Sequence, residues 1–334
     1  MRTVRIFKLI GLIVIFTILI TACQPAAPSP AVAGEEKVEK LVVAGVVFQS
    51  DTFMQTVQAG IQAAGDEGGV EVLLGNTENK LEKEASMIDD YIARKVDAIV
   101  ITPISKDGSL AALKKAKEAG ITIICFNTCV ADESVASAFL VTENKDLGIK
   151  SGEAAVKYIT EKLDGKAKIG LLNCDQFEGC PPRKEGFLAQ VSALEGVELV
   201  SDQAGWLADK AQPVAEAMLQ ANPDINILWA ANEGGTVAEA NAVKTLGLSG
   251  KVFVFGTDMN NQMGQMLKAD DNVLMGVTGQ APYQMGYDAM KAALNVLADK
   301  TVEKNVKTPT IFFGRGNNPL IDQYIATEGK AIFK

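Results

Sequence analysis

The chain of 334 residues contains no histidine. Histidine is the usual general base near neutral pH and the commonest metal ligand in proteins. Its absence excludes Ser-His-Asp and Cys-His catalysis and any zinc site with a histidine ligand. We therefore expect that the protein is not an enzyme, holds no metal and uses no cofactor.

Nucleotide-binding glycine motifs are also missing. The sequence has no G-x-x-x-x-G-K-[ST], and "GRGNNP" at residues 314–319 lacks the last glycine of G-x-G-x-x-G. Positive charge is scarce as well: 32 Lys and Arg stand against 41 Asp and Glu, a net charge of −9. Nucleic-acid binding favours basic surfaces, so we expect no nucleic-acid partner.

An apolar run near the N-terminus, residues 9–22, is shorter than the ~18–20 residues that span a bilayer. It follows Arg2, Arg5 and Lys8, as in a secretory signal. The ending "LITAC" resembles a bacterial lipobox with Cys23 as the acylated residue; the alternative is an ordinary signal peptide with a chance cysteine. We expect a signal peptide at 1–22 and a Pro/Ala-rich lipidated tether at 23–37. Removing the signal peptide would change the net charge from −9 to −12.

From residue 38 onward, apolar runs alternate with helical patterns. Continuous Val- and Ile-rich strands between helices predict parallel sheets covered on both faces. The first series has strands at 40–48, 70–75, 97–103 and 121–127, and the segment 136–148 interrupts the pattern. A second series has strands at 167–174, 197–202, 225–231, 251–258 and 271–279, before a helix at about 282–298 and a late strand at 308–314. The sequence therefore predicts an α/β protein with two doubly wound parallel-sheet domains.

Polar and aromatic side chains follow these strands at their carboxyl ends, where open α/β sheets bind ligands. Carboxylates and amides can bridge adjacent hydroxyl groups, arginine donates a fork of hydrogen bonds, and aromatic rings can cover the C–H face of a sugar. Any single Asp or Asn could instead cap the next helix, and Phe53 could belong to the core. As a set the residues favour a monosaccharide site, and the candidates are Asp51, Phe53, Asn127, Arg183, Trp206, Asn232, Asp258 and Gln280.

Residues 38–325 resemble the periplasmic sugar-binding proteins of ABC transporters, the group of the ribose- and galactose-binding proteins. The matching motifs are "DTFM" with Asp51 and Phe53, "CFN" with Asn127, "PPRKEGF" with Arg183, "AGW" with Trp206, "AANE" with Asn232, "VFGTD" with Asp258 and "GQAPYQMG" with Gln280. The chain departs from the family where a ribose-type Asp-Arg pair is replaced by Asn127-Thr128, and where a galactose-type histidine and calcium loop are absent.

The resemblance implies an extracytoplasmic receptor that binds a pentose or hexose between two hinged domains and delivers it to an ABC permease, tethered to the membrane by its lipid. The family fold implies hinge crossings near Val141–Glu143, Gly279–Ala281 and Phe312–Gly314. One domain would comprise 38–141 and 282–311, and the other 143–279 and 314–334.

Four further cysteines, an even number in an exported chain, suggest disulfide bonds; four free thiols are the alternative. We expect Cys125–Cys129 and Cys174–Cys180, because a bond between the domains would lock the hinge.

Two other functions remain open from the sequence. The same module could serve as a receptor that senses a sugar or a sugar-like signal. Asp51 and Asp258 could also form the carboxylate pair of a glycosidase, although both are placed as hydroxyl ligands on opposing domains.

Overall fold

A computed structural model describes residues 40–333. The predicted signal peptide, Cys23 and the tether lie outside the described residues. Within the described range, no helix combines the length and apolar character needed to cross a membrane. Residues 40–333 form two α/β lobes, each built on a six-stranded sheet, as the alternation of apolar strands and helices predicts.

The first sheet belongs to the lobe that contains the start of the described chain, the N-lobe. All its neighbouring strands pair in parallel. In spatial order they are β11 (Asn305–Thr308), β5 (Ala138–Thr142), β4 (Thr122–Phe126), β3 (Ala98–Ile101), β1 (Val42–Val47) and β2 (Glu71–Asn76).

The second sheet belongs to the other lobe, the C-lobe. Its strands are parallel except the edge strand β12, which runs antiparallel to β10. In spatial order they are β12 (Ile311–Gly314), β10 (Leu274–Gly279), β9 (Phe253–Thr257), β8 (Ile227–Ala230), β6 (Lys166–Asn173) and β7 (Gly196–Ala204).

Helices cover both faces of each sheet, so central strands such as β3 and β8 are buried along their whole length. The N-lobe helices are α1 (Thr52–Glu67), α2 (Leu81–Arg94), α3 (Leu110–Glu118) and α9 (Pro282–Leu297). The C-lobe helices are α4 (Asn144–Lys162), α5 (Cys180–Val191), α6 (Ala208–Ala221), α7 (Glu233–Thr245), α8 (Asn261–Lys268) and α10 (Asn318–Thr327).

The chain passes between the sheets three times: between β5 and α4, between β10 and α9, and between β11 and β12. The residues between these elements are Glu143 in the first passage, Gln280 and Ala281 in the second, and Pro309 and Thr310 in the third. The hinge and the domain boundaries expected from the sequence stay a prediction.

Two details of the predicted strand pattern were wrong. The interrupting segment 136–148 contains β5, a short strand with alternating buried and half-buried residues. The late strand predicted at 308–314 is shorter, since β12 covers Ile311–Gly314 and pairs with β10 in the C-lobe, and β11, which pairs with β5 in the N-lobe, was not predicted. Both strands lie at sheet edges, and β11, "NVKT", has no apolar run of the kind that marks a central strand.

Candidate ligand-binding site

Strand-end residues of both lobes line one cavity of about 60 Å³. Little free space therefore remains between the lobes at this point. Seven of the eight candidates from the sequence lie on its wall: Asp51, Phe53, Asn127, Arg183, Asn232, Asp258 and Gln280. Trp206 is not among the lining residues.

Asp51 follows β1 and occupies the N-cap position of α1. Its Oδ1 accepts a hydrogen bond from the backbone N–H of Met54 at 2.8 Å, and its other oxygen accepts one from the Gln49 amide. A carboxylate here stabilises the start of the helix. Burial raises the pKa of the Asp51 carboxyl, and the charge of Asp258 across the cavity adds to the increase. Asp51 is thus both a helix cap and a cavity carboxylate.

Asn127 ends β4 in the left-handed backbone region, with φ of 60°. Asparagine tolerates this conformation better than most residues. The turn is held by the backbone N–H of Asn127, which donates to Leu140 at 2.9 Å, and by the Cys125–Cys129 disulfide that brackets it. These constraints fix the backbone from which the Asn127 side chain reaches the cavity.

Arg183 is the most extensively bonded of the candidates. Its Nη1 donates to Asp258 Oδ2 at 2.7 Å and to the carbonyl of Ala231 at 2.9 Å, while Nε donates to Asn144 Oδ1 at 2.8 Å. Asp258 accepts a second bond on Oδ1, from Gln280 Nε2 at 2.5 Å. The ion pair is almost fully buried, with 6% and 8% of the side chains exposed.

Two glycines allow α4 and α5 to approach closely enough to place Arg183. A Cβ at Gly148 would lie 1.8 Å from the carbonyl oxygen of Arg183, and one at Gly186 would lie 2.2 Å from that of Lys145. Real Cβ atoms do not approach backbone oxygens so closely. Glycine at both positions therefore lets the Arg183 backbone rest directly against α4.

Asn232 and Trp206 are coupled to each other. Asn232 caps α7 by accepting from the Gly235 N–H at 3.1 Å, and its amide nitrogen donates to the carbonyl of Trp206 at 2.8 Å. The Trp206 ring makes an edge contact with Phe177, with centroids 5.7 Å apart. Trp206 thus lies behind Phe177 rather than on the cavity wall.

Phe177 brings an aromatic ring to the wall from the loop closed by the Cys174–Cys180 disulfide. Its ring stacks on Phe48 of the N-lobe, with centroids 5.5 Å apart and planes inclined by 24°. This contact spans the two lobes. Both local disulfides expected from the sequence are present in the structure.

Glu233 is a cavity residue that the motif analysis missed, although it directly follows Asn232 in "AANE". Its Oε2 accepts from the backbone N–H of Phe53 at 3.0 Å, which links the lobes, and its Oε1 accepts from Asn260 at 2.9 Å. Burial, with the nearby Asp51 charge, raises the pKa of Glu233 to about 7. Its position at the first turn of a helix after a strand was the available signal.

A third contact links the lobes at the cavity. Glu178 accepts from the backbone N–H of Lys106 at 3.2 Å, and it also pairs with the Lys106 ammonium at 3.1 Å. Both side chains are substantially exposed, so this pair contributes less than a buried one. Glu178 and Glu233 therefore each connect the C-lobe to a backbone N–H of the N-lobe.

A sequence profile described as "Periplasmic binding protein domain" matches residues 42–301, most of the chain. The chain therefore belongs to the periplasmic binding protein family, a family of binding proteins that work outside the cytoplasm.

Among its relatives, the "ABC transporter periplasmic-binding protein YphF" of Escherichia coli K12 is 32% identical over 298 residues, covering 87% of each chain. The "Ribose import binding protein RbsB" of Bacillus subtilis is 26% identical over 299 residues, covering 87% of this chain and 93% of its own.

Solved structures share the architecture. A carbohydrate transporter solute-binding protein from Agrobacterium radiobacter, in complex with D-arabinose, is 27% identical with a TM-score of 0.76; the match covers 86% of this chain and 99% of the other. An ABC transporter solute-binding protein from Bacillus halodurans with bound myo-inositol matches with a TM-score of 0.77 at 19% identity, covering 86% and 98%.

Proposed function

We propose that the protein is the substrate-binding component of an ABC sugar importer, and that it binds a monosaccharide-sized polyol in the cavity between its lobes. One observation carries the proposal: carboxylates, amides, a guanidinium and aromatic rings from both lobes converge on one cavity. Family membership supports it, as do one relative named as an ABC transporter periplasmic-binding protein and another named as a ribose import binding protein.

The chemistry of the wall suits adjacent hydroxyl groups. Each hydroxyl both donates and accepts, whereas a carboxylate only accepts and a guanidinium only donates. Asp51 and Asp258 supply acceptors, Arg183 supplies donors, and the amides of Asn127 and Gln280 supply both. The rings of Phe53 and Phe177 offer apolar faces for the C–H side of a sugar ring. We propose that Trp206 positions the Phe177 ring through their edge contact. Asn232 in turn would hold Trp206 by its hydrogen bond to the Trp206 carbonyl.

Ligand capture requires the lobes to move. A monosaccharide needs more room than the cavity of about 60 Å³ offers, so we propose that the lobes separate to admit it and then close. The three connecting passages would act as the hinge. The N-lobe would comprise residues 40–141 and 282–308, and the C-lobe residues 143–279 and 311–333. Closure excludes water and strengthens the hydrogen bonds to the ligand.

A thermal-shift screen against pentoses, hexoses and cyclic polyols, followed by calorimetry on the compounds that bind, tests this function. We expect at least one compound to raise the melting temperature and to bind in the micromolar range, a free energy of about −8 kcal/mol. The control is Arg94→Ala, which changes an exposed arginine on α2. Failure of every compound would contradict the proposal.

We further propose that the protein turns over no substrate. The glycosidase alternative is not favoured, because Asp258 is bonded to Arg183 and Gln280, while Asp51 caps a helix. No product should appear when aryl glycosides are incubated with the protein. The sensor alternative uses the same site, and binding to a purified permease rather than to a chemoreceptor would separate the two.

We also propose that Cys23 carries a lipid that anchors the protein to the membrane. The charge pattern before residues 9–22 and the "LITAC" ending support this. Cys23→Ala should abolish incorporation of radiolabelled palmitate and release the protein from the membrane fraction. Retention of the label in this variant would contradict the proposal.

A further inference from the structure

The charges around the cavity do not balance. Asp258 pairs with Arg183 at 2.7 Å, and Glu178 pairs with Lys106 at 3.1 Å. Asp51 also lies on the cavity wall, together with Glu233. Among residues 40–333, neither Asp51 nor Glu233 has a cation within salt-bridge distance.

The partners that Asp51 and Glu233 do have are neutral. Asp51 accepts from a backbone N–H and from the Gln49 amide. Glu233 accepts from the backbone N–H of Phe53 and from the Asn260 amide. These bonds orient the two carboxyl groups but supply no positive charge to pair with them.

The two acids belong to opposite lobes, since Asp51 follows β1 of the N-lobe and Glu233 begins α7 of the C-lobe. The two acids lie near each other, because Glu233 accepts from the backbone N–H of Phe53, two residues after Asp51, and both side chains line the same cavity. Closing the lobes therefore brings two carboxyl groups together in a site from which water is excluded, and this disfavours their charged forms unless a cation accompanies them. A cation placed between them would interact more strongly with the closed form than with the open form, and so would favour closure.

Hydrogen-bond acceptors are also in excess on the wall. The Oε1 atom of Gln280 is buried and has no hydrogen-bond partner within residues 40–333. Among the described residues, Arg183 is the one cationic residue on the wall, and its guanidinium already gives Nε and Nη1 to protein acceptors. An ammonium group brings three hydrogen-bond donors and no acceptor, so it would offset the excess of acceptors on the described part of this wall.

We infer that the ligand is an amino-substituted monosaccharide or cyclitol, whose ammonium group lies between Asp51 and Glu233 and holds the two lobes together. The inference rests on the proposed function and narrows its ligand class. The neutral hydroxyls of the same ligand meet Arg183, Asn127 and Asp258 on the rest of the wall.

Matched ligand pairs test the inference by calorimetry at pH 7. Each pair compares an amine with its hydroxyl parent: D-glucosamine with D-glucose, D-galactosamine with D-galactose, the 3-amino and 6-amino hexoses with their parents, and monoamino-inositol with myo-inositol. The N-acetyl derivatives keep the nitrogen but remove its charge. We expect at least one amine to bind tenfold or more tighter than its parent, with the gain lost on acetylation.

Variants then locate the ammonium group. Asp51→Asn keeps the helix cap and Glu233→Gln keeps the side-chain size, and each should reduce the amine-to-parent affinity ratio about tenfold. Glu118→Gln, an exposed acid on α3, should leave the ratio unchanged. A ratio that neither site variant changes would overturn the placement. Parents that bind as tightly as their amines in every pair would overturn the inference and leave the proposed function intact, whereas failure of all amines and all neutral polyols would overturn both.

Discussion

The two halves of the cleft are built differently. In the C-lobe, Arg183 is bonded to Asp258 and Asn144, and Asp258 is bonded to Gln280, so each side chain is held by another. In the N-lobe, Asp51 and Asn127 depend on nearby backbone groups and on the loops that carry them. The C-lobe half is therefore organised before ligand arrives. The N-lobe half carries more of the ordering cost of binding.

The largest effect should follow from breaking the C-lobe network. Arg183→Ala leaves Asp258 buried without its cation, so we expect a loss of about 3–5 kcal/mol in the free energy of unfolding. Ligand-induced stabilisation should disappear as well. Denaturant unfolding with and without ligand measures both, and Arg94→Ala is the matched exposed control. A loss below about 1 kcal/mol in the free energy of unfolding would mean that the Arg183–Asp258 network does not organise the C-lobe half of the cleft.

The C-lobe also contains a buried acid, Glu239, that has no hydrogen-bond network like the one around Asp258. Glu239 on α7 is fully buried, and neither carboxyl oxygen has a hydrogen-bond partner within the described chain. Burial raises its pKa well above the ordinary value of 4.5. Glu239→Met should therefore stabilise the fold at pH 7 by about 1–3 kcal/mol, because it removes a desolvated polar group that has no hydrogen-bond partner within the described chain.

The pH dependence gives an independent check on Glu239. Because its folded pKa is raised, its contribution to stability is complete below about pH 4.5 and is lost as the pH rises toward the folded pKa. As the pH rises from about 4.5 toward the folded pKa of Glu239, the free energy of unfolding of the wild type should therefore fall more steeply than that of Glu239→Met. Parallel curves in urea titrations at several pH values would contradict the assignment.

The two disulfides test the halves directly. Replacing either pair by serine should cost about 2 kcal/mol, because each bond closes a short loop. Loss of Cys125–Cys129 should also weaken binding, since it brackets Asn127. Loss of Cys174–Cys180 should affect binding less, because Arg183 keeps its own hydrogen bonds. Equal losses of affinity in the two double variants would remove the distinction between the halves.

The smallest effect concerns the N-lobe cap. Asp51→Ala should destabilise the protein by about 1 kcal/mol, because the Met54 N–H at the start of α1 loses its acceptor. Asp51→Asn keeps an acceptor and should recover most of this loss. Thermal melting of both variants without ligand measures the difference, and equal melting temperatures would show that the cap contributes little.

The central strands were predictable because their apolar runs are continuous, as in "AIVI" of β3 and "TIICF" of β4. The edge strand β11, "NVKT", has no such run, since one side of an edge strand has no strand to pair with. Its pairing with β5 joins residues far apart in the sequence. Only the folded chain specifies that contact.

The candidate site residues were predictable where a side chain follows the carboxyl end of a strand, as Asp51 and Asp258 do. Glu233 was missed because its contact with the Phe53 N–H spans 180 positions of sequence. Trp206 was expected to stack on the ligand, but its place behind Phe177 depends on a loop whose path no local pattern specifies.

The three passages between the sheets also affect how the chain can be made. The N-lobe core needs Met285, Ala289, Met290 and Ala293 of α9, and its sheet needs β11 at Asn305–Thr308. The C-lobe in turn needs the edge strand β12, which follows immediately. Neither lobe can complete its core or its sheet until nearly the whole chain has left the ribosome. The newly made polypeptide therefore stays incompletely folded until synthesis is almost finished, the condition in which a secretory channel can thread it.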